Sequence, residues 1–148
     1  MKLALIILIS SLTLSSDYCD MTEVRSQFHQ ENDSEKRLET HIINMELMSC
    51  EKVTPYLACA IMQRAEHSSW PPTQIGYFNK GKDMLETYIQ KNPEDIEARY
   101  VRYLVQKGAP GFLGYKSNMD SDYSFILSNL NQADLPPQFL TKMINSLN

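Results

Sequence analysis

Residues 93–115, PEDIEARYVRYLVQKGAPGFLGY, constrain the fold more than any other stretch, because they join helix start and stop signals to a two-sided apolar pattern. Asn92 is a capping residue, and Pro93 suits the first helical position, where a missing N–H costs nothing. Glu94 and Asp95 place negative charge in the first turn, while Lys107 and Gly108 offer a basic last turn and a left-handed C-cap. The signals predict a helix over 93–107, about four turns long. On a helical projection Ile96, Tyr100, Tyr103 and Leu104 share one apolar arc, and Ala98, Val101 and Val105 form a second. A helix apolar on two sides packs on two sides, so this one is predicted to be central and the most buried.

Between the arcs Asp95, Arg99, Arg102 and Gln106 form a polar stripe. Three readings fit it: a solvated ion-pair row, a half-buried network pinning the following loop, or an anion-binding groove. Arg102 is expected to hold the Gly- and Pro-rich loop 109–115 by bonding its carbonyls, since such a loop has few backbone bonds of its own. Glu97 is the one acid out of place, between Tyr100, Val101 and Leu104. If buried, it requires a tyrosine hydroxyl or an arginine as partner. It reads as a structural hydrogen-bonded glutamate, with a catalytic carboxylate as the alternative.

The rest of the chain agrees with helices. Its 148 residues suit one domain, and its 5 glycines and 8 methionines favour an all-α fold. A formal charge of −4 argues against a general nucleic-acid binder. Residues 1–15 read as a signal peptide, with Lys2, an apolar run over 3–14, and small Thr13 and Ser15 before the cleavage point. The run falls short of the roughly 20 residues that span a bilayer, although an uncleaved anchor is the competing reading. The protein is therefore expected to be periplasmic or secreted. Residues 16–33 are a flexible N-terminal arm with few apolar anchors beyond Val24 and Phe28, and 34–148 form the helical domain.

Within it, a helix from Asn32, Asp33 or Ser34 buries Leu38, Ile42 and Met45, and Thr54-Pro55 opens a second with Leu57, Ala58, Ile61, Met62 and Ala65 inward. Ala58-Cys59-Ala60 is small enough for another backbone to approach. Trp70-Pro71-Pro72 is a rigid connection, and Thr73 caps a third helix with Ile75, Phe78, Leu85 and Ile89 inward. Gly81 inside it marks a tight helix crossing. Ser117 to Asp120 resembles a capping box for Tyr123, Ile126, Leu127 and Leu130, and Phe139, Leu140, Met143, Ile144 and Leu147 make a short last helix. Five or six helices in a compact stack result.

Two stretches carry resemblances. Residues 78–93, FNKGKDMLETYIQKNP, are similar to the second helix of a tetratricopeptide repeat, with Gly81 at the small position, Leu85 and Tyr88 at packing positions and Pro93 at the terminal proline. The first-helix Trp, Leu and Gly positions fall on Ala65, Ser68 and Ser69, and no second copy follows, so the packing is tetratricopeptide-like without a true repeat array. Residues 56–115 resemble a family of small, exported, uncharacterised Bacteroidota proteins. That resemblance rests on Tyr77-Phe78-Asn79, Gly81-Lys82, Leu85-Glu86, Ile96-Glu97, Arg99, Arg102, Gln106 and Pro110 through Phe112-Leu113-Gly114-Tyr115. It implies an all-helical envelope protein and brings no activity with it.

No chemistry-bearing motif emerges. His29, His41 and His67 make no metal motif, no serine sits in a nucleophile elbow, and no Gly-rich loop follows a strand. No catalytic residue, cofactor or metal is assigned. Cys19, Cys50 and Cys59 are an odd set, for which a Cys50–Cys59 bridge and a buried free Cys59 thiol are the two readings. The chain thus reads as a protein- or peptide-interaction module rather than an enzyme, with no nucleic-acid partner and no membrane role beyond export. The alternative is a small-ligand binder or enzyme using Glu97, Arg99, Arg102 and the Tyr115 loop. A module should show an exposed apolar patch, whereas a ligand site should show those groups facing one cavity.

Overall fold

The computed structural model describes residues 19–30 and 34–148. They form seven α-helices and no strand: α1 (Thr22–Phe28), α2 (Glu35–Glu46), α3 (Thr54–Gln63), α4 (Pro71–Lys91), α5 (Ile96–Gly108), α6 (Met119–Asn129) and α7 (Pro137–Leu147). Short 3-10 turns flank α3 and follow α5 and α6. The all-α expectation holds, with α1 as a helix beyond the five or six expected. The signal-peptide segment 1–15 lies outside the described residues, as do 16–18 and 31–33.

α3 and α4 form a tight antiparallel hairpin, and α5 packs against α3, α4 and α6 as the central helix. The hairpin closes where two small-residue features meet. A Cβ built on Gly81 would collide with the Ala58 carbonyl and with Met62 Cγ, so the backbones of α3 and α4 touch there. Tyr100, Ala98 and Val101 of α5 are fully buried, together with Leu38, Ile42, Leu85 and Ile126 from its neighbours. Outer helices bury less than their spacing suggests: Ile75, Leu127 and Ile144 remain about half exposed. Periodicity marks an apolar stripe, but the neighbour's width decides how much of it is covered.

Several helix ends differ from expectation. α5 starts at Ile96, not Pro93, because Asp95 is the better cap: its Oδ1 accepts from the amides of Glu97 at 2.9 Å and Ala98 at 3.1 Å. Tyr88 holds the other carboxylate oxygen at 2.7 Å, while Asn92 closes α4 instead, its side chain donating to the Tyr88 carbonyl at 3.2 Å. Gly108 is helical, and the positive φ expected of it belongs to Gly114, at 62°. Pro71 and Pro72 lie inside the first turn of α4, so Trp70 takes the cap position and Thr73 caps nothing. Thr54 is likewise the first residue of α3 behind Val53, and α6 begins behind Asn118 with no side-chain cap.

The described part of the N-terminal arm is not loose. Met21 and Val24 are buried, and Cys19 is disulfide-bonded to Cys50 across a sequence separation of 31 residues. This replaces the Cys50–Cys59 pairing: α1 carries Cys19 to the segment before α3, with Cα atoms 5.7 Å apart. Cys59 stays a free thiol against the core, its pKa pushed up to about 12 by burial.

The crossing yields a paired test. Gly81→Ala should lower stability by about 1–2 kcal/mol, because overpacking outweighs a helix-propensity gain of about 1 kcal/mol. Gly76→Ala, in the same helix with nothing within 4 Å, should raise stability by up to about 1 kcal/mol. Urea denaturation midpoints check both; shifts of the same sign would mean that α3 and α4 do not cross there.

Candidate functional site

The charged residues singled out in α5 divide between its two flanks. On one, Glu97 is only 9% exposed and meets Arg25 of α1, whose Nε and Nη2 donate to the carboxylate at 2.9 and 2.7 Å. The Tyr56 hydroxyl of α3 donates to the same group. Glu97 thus has both kinds of partner that burial demands. Burial, and then the neighbouring carboxylate, raise the Tyr56 pKa, so this hydroxyl stays a donor. Beyond Arg25, the His29 ring shares a 2.8 Å hydrogen bond with Tyr100 and packs edge-on against Phe28 and Phe139. Burial lowers the His29 pKa.

On the other flank Arg102, 5% exposed, lays its fork on the fully buried Asp122 of α6: Nε to Oδ2 at 2.7 Å and Nη2 to Oδ1 at 2.7 Å. Its Nη1 donates to Glu86 of α4 at 2.8 Å. Arg99 adds a bond to Asp122 Oδ1 at 3.2 Å, donates to the Pro93 carbonyl at 2.8 Å, and stacks 4.3 Å from the centre of the Phe125 ring. Burial opposes the charge on Arg102, but the Asp122 bonds more than offset it and its pKa is raised. Gln106, fully buried, donates to Asn118 at 3.3 Å.

The stripe is therefore a half-buried network, but its partners are not those expected. Arg102 spends its donors on carboxylates of α4 and α6 rather than on carbonyls of 109–115. A carboxylate offers two charged acceptors in the plane of the fork, which an irregular loop cannot match. The loop is still tied to the network, one step removed: the Tyr115 hydroxyl donates to Glu86, whose other oxygen receives Arg102.

Glu97, Arg99 and Arg102 do not converge on one space. Glu97 faces α1 and α3, and the arginines face α4 and α6. Among the described residues, one open cleft of about 410 Å³ is lined by Glu51, Thr54, Asp83, Met84, Thr87, Tyr88 and Lys91, and another of about 270 Å³ lies between α1 and α2 and includes Gln27, Lys36 and His41. Neither includes Glu97, Arg99, Arg102 or Tyr115. Among the described residues no cluster of three His, Cys, Asp or Glu could hold a metal ion, and no helix is long and apolar enough to cross a membrane.

The chain matches no family model, no curated protein and no solved structure. Its functional reading rests on its own residues. Three of those that matter, Arg25, Tyr56 and Asp122, were not singled out in the sequence, and Glu86 was named only within the resemblance. Asp122 did carry a signal, since it interrupts the apolar stripe from Met119 to Ile126 at helical spacing. Arg25 carried none, because its partner is 72 residues away.

Two outcomes follow from this geometry. Arg102→Ala should cost about 3–5 kcal/mol by stranding Asp122, and Arg102→Lys should recover less than half of that, because an ammonium cannot span both oxygens and Glu86. Chemical denaturation reads the loss, and a Lys variant with the wild-type midpoint would show that the fork is dispensable. The second concerns pH. Burial lowers the pKa of both His29 and His41, so the fold favours their neutral forms, and the unfolded chain binds more protons. The stability is fully present above about pH 6.5 and is lost as the pH falls toward the depressed folded values. Denaturation midpoints should fall between about pH 7.5 and 5.5, with a shallower fall in a His29→Gln/His41→Gln variant; equal slopes would remove the histidines as the cause.

Proposed function

We propose that this is an exported protein- or peptide-interaction module. The observation that carries the reading is Phe112, which is 84% exposed on a loop whose flanks are fixed. Ala109 and Tyr115 are buried at either side of it, and Leu113 packs on the core. The Leu113 and Gly114 amides donate to the Pro110 and Gly111 carbonyls, both at 3.1 Å, and Gly114 turns the chain with its positive φ. A loop backbone already held in place loses little further freedom on binding, which helps an exposed aromatic on it to act as an anchor.

The buried charges support the same reading. Glu97, Arg99 and Arg102 are satisfied by protein partners, so the alternative of a ligand site or enzyme built on them would have to break the fold's own pairs. Export is supported by the signal-like segment 1–15 and by the Cys19–Cys50 bridge, which persists in an oxidising compartment. The Gly81 crossing supports a tetratricopeptide-like hairpin, and the likeness of 56–115 to exported Bacteroidota proteins points the same way.

A photo-crosslinking residue at position 112, in protein produced in its native host, should give a discrete protein adduct. The same residue at exposed Gln90 should not. Mass spectrometry of that material should find a terminus near Ser16. No protein adduct at 112 would sink the interaction reading, and a retained Met1 on cytosolic protein would sink export.

A further inference from the structure

The loop that carries Phe112 is joined to one side of α4, and that side bears an exposed apolar residue and a lysine. Tyr115 packs edge-on against Phe78 of α4, with ring centres 5.8 Å apart, which joins the loop to that helix. One turn before Phe78 on the same side of α4 stands Ile75, 47% exposed. One turn after it Lys82 holds its ammonium 6.0 Å from the centre of the Tyr115 ring, and Lys116 follows Tyr115 exposed to solvent. Arg25, Arg64, Arg99 and Arg102 each close on a carboxylate, whereas Lys82 and Lys116 make no ion pair among the described residues.

The two acids of α4 nearest to Lys82 are engaged or line another side of the helix. Glu86 is occupied by Tyr115 and Arg102. Asp83 lines the cleft with Glu51 on another side of α4, and Asp120 sits in the first turn of α6, where the helix dipole favours it. We propose that this surface binds an acidic peptide segment carrying a large apolar side chain, the apolar group packing on Phe112 and Ile75 and the carboxylates meeting Lys82 and Lys116. The inference rests on the interaction-module reading and names its partner. A whole-chain charge of −4 disfavours an extended polyanion or an anionic bilayer, which would meet the repulsion of the entire molecule. A short segment meets only the local field, within a Debye length of about 8–10 Å.

The test is selection from a random peptide phage library on the full, disulfide-bonded protein, followed by fluorescence anisotropy with the synthetic peptides selected. Phe112→Ala and Lys82→Glu/Lys116→Glu serve as variants, and all three positions lie outside the buried core, so folding should survive; circular dichroism verifies it. The expected result is enrichment of acidic peptides with an aromatic or branched apolar residue. Their affinity should fall about tenfold or more in each variant, and it should weaken as salt rises. Neutral or basic peptides that still require Phe112 would overturn the acidic partner while leaving the module intact. No enrichment, or peptides that bind Phe112→Ala as well as wild type, would overturn both. Vesicles containing phosphatidylglycerol complete the test: capture by wild type and loss in Phe112→Ala, without peptide enrichment, would overturn the proposal in favour of a membrane surface.

Discussion

The Arg102–Asp122 pair fixes how α4, α5 and α6 sit together. Asp122 is fully buried, and an ionised carboxylate removed from water without a partner costs several kcal/mol. The arginine fork removes that cost only if α5 and α6 are in one register, because both oxygens are met at 2.7 Å in a single plane. Glu86 then draws α4 to the remaining side of the guanidinium, and Arg99 closes the second lone pair of Asp122. Two arginines and two carboxylates balance. A slip of one residue in any of the three helices would leave a charge stranded in the core, so the network acts chiefly on specificity of packing.

A second charged cluster does the same work for the N-terminal helix. α1 has seven residues, too few to be stable alone. It is held by the Arg25 fork on Glu97, by the rings of Phe28 and His29 against Tyr56, Tyr100 and Phe139, and by the Cys19–Cys50 bridge. Both clusters are anchored on α5, whose sides therefore carry charge as well as apolar surface, all of it matched by neighbours. This is why the helix shows two apolar arcs and still buries a glutamate, an arginine and a glutamine.

The exposed loop depends on the buried pair. Tyr115 reaches Glu86, Glu86 receives Arg102, and Arg102 is locked on Asp122. That chain carries order from the core to the turn that holds Phe112 outward. The proposed function starts from this arrangement: the charges of α5 are met by protein partners, and the loop tied to them carries the exposed Phe112.

The sequence by itself determined the helical class, the central place of 93–107, the crossing at Gly81, and the partner types that Glu97 would need. These are local or compositional properties: apolar period, proline and glycine positions, and the cost of a buried carboxylate are legible without knowing any neighbour. The helix ends were less legible, because Asn92 and Asp95 are both good caps, and the competition was decided by α4, which needs Asn92 for its own last carbonyls. Only the tertiary structure decided that Arg102 meets Asp122 and not the loop, that Arg25 and Tyr56 are the partners of Glu97, and that Cys19 takes Cys50. Each of these joins residues 20 or more positions apart. Helical spacing gives the face on which a charged side chain stands, but the partner is set by which helix the packing brings opposite.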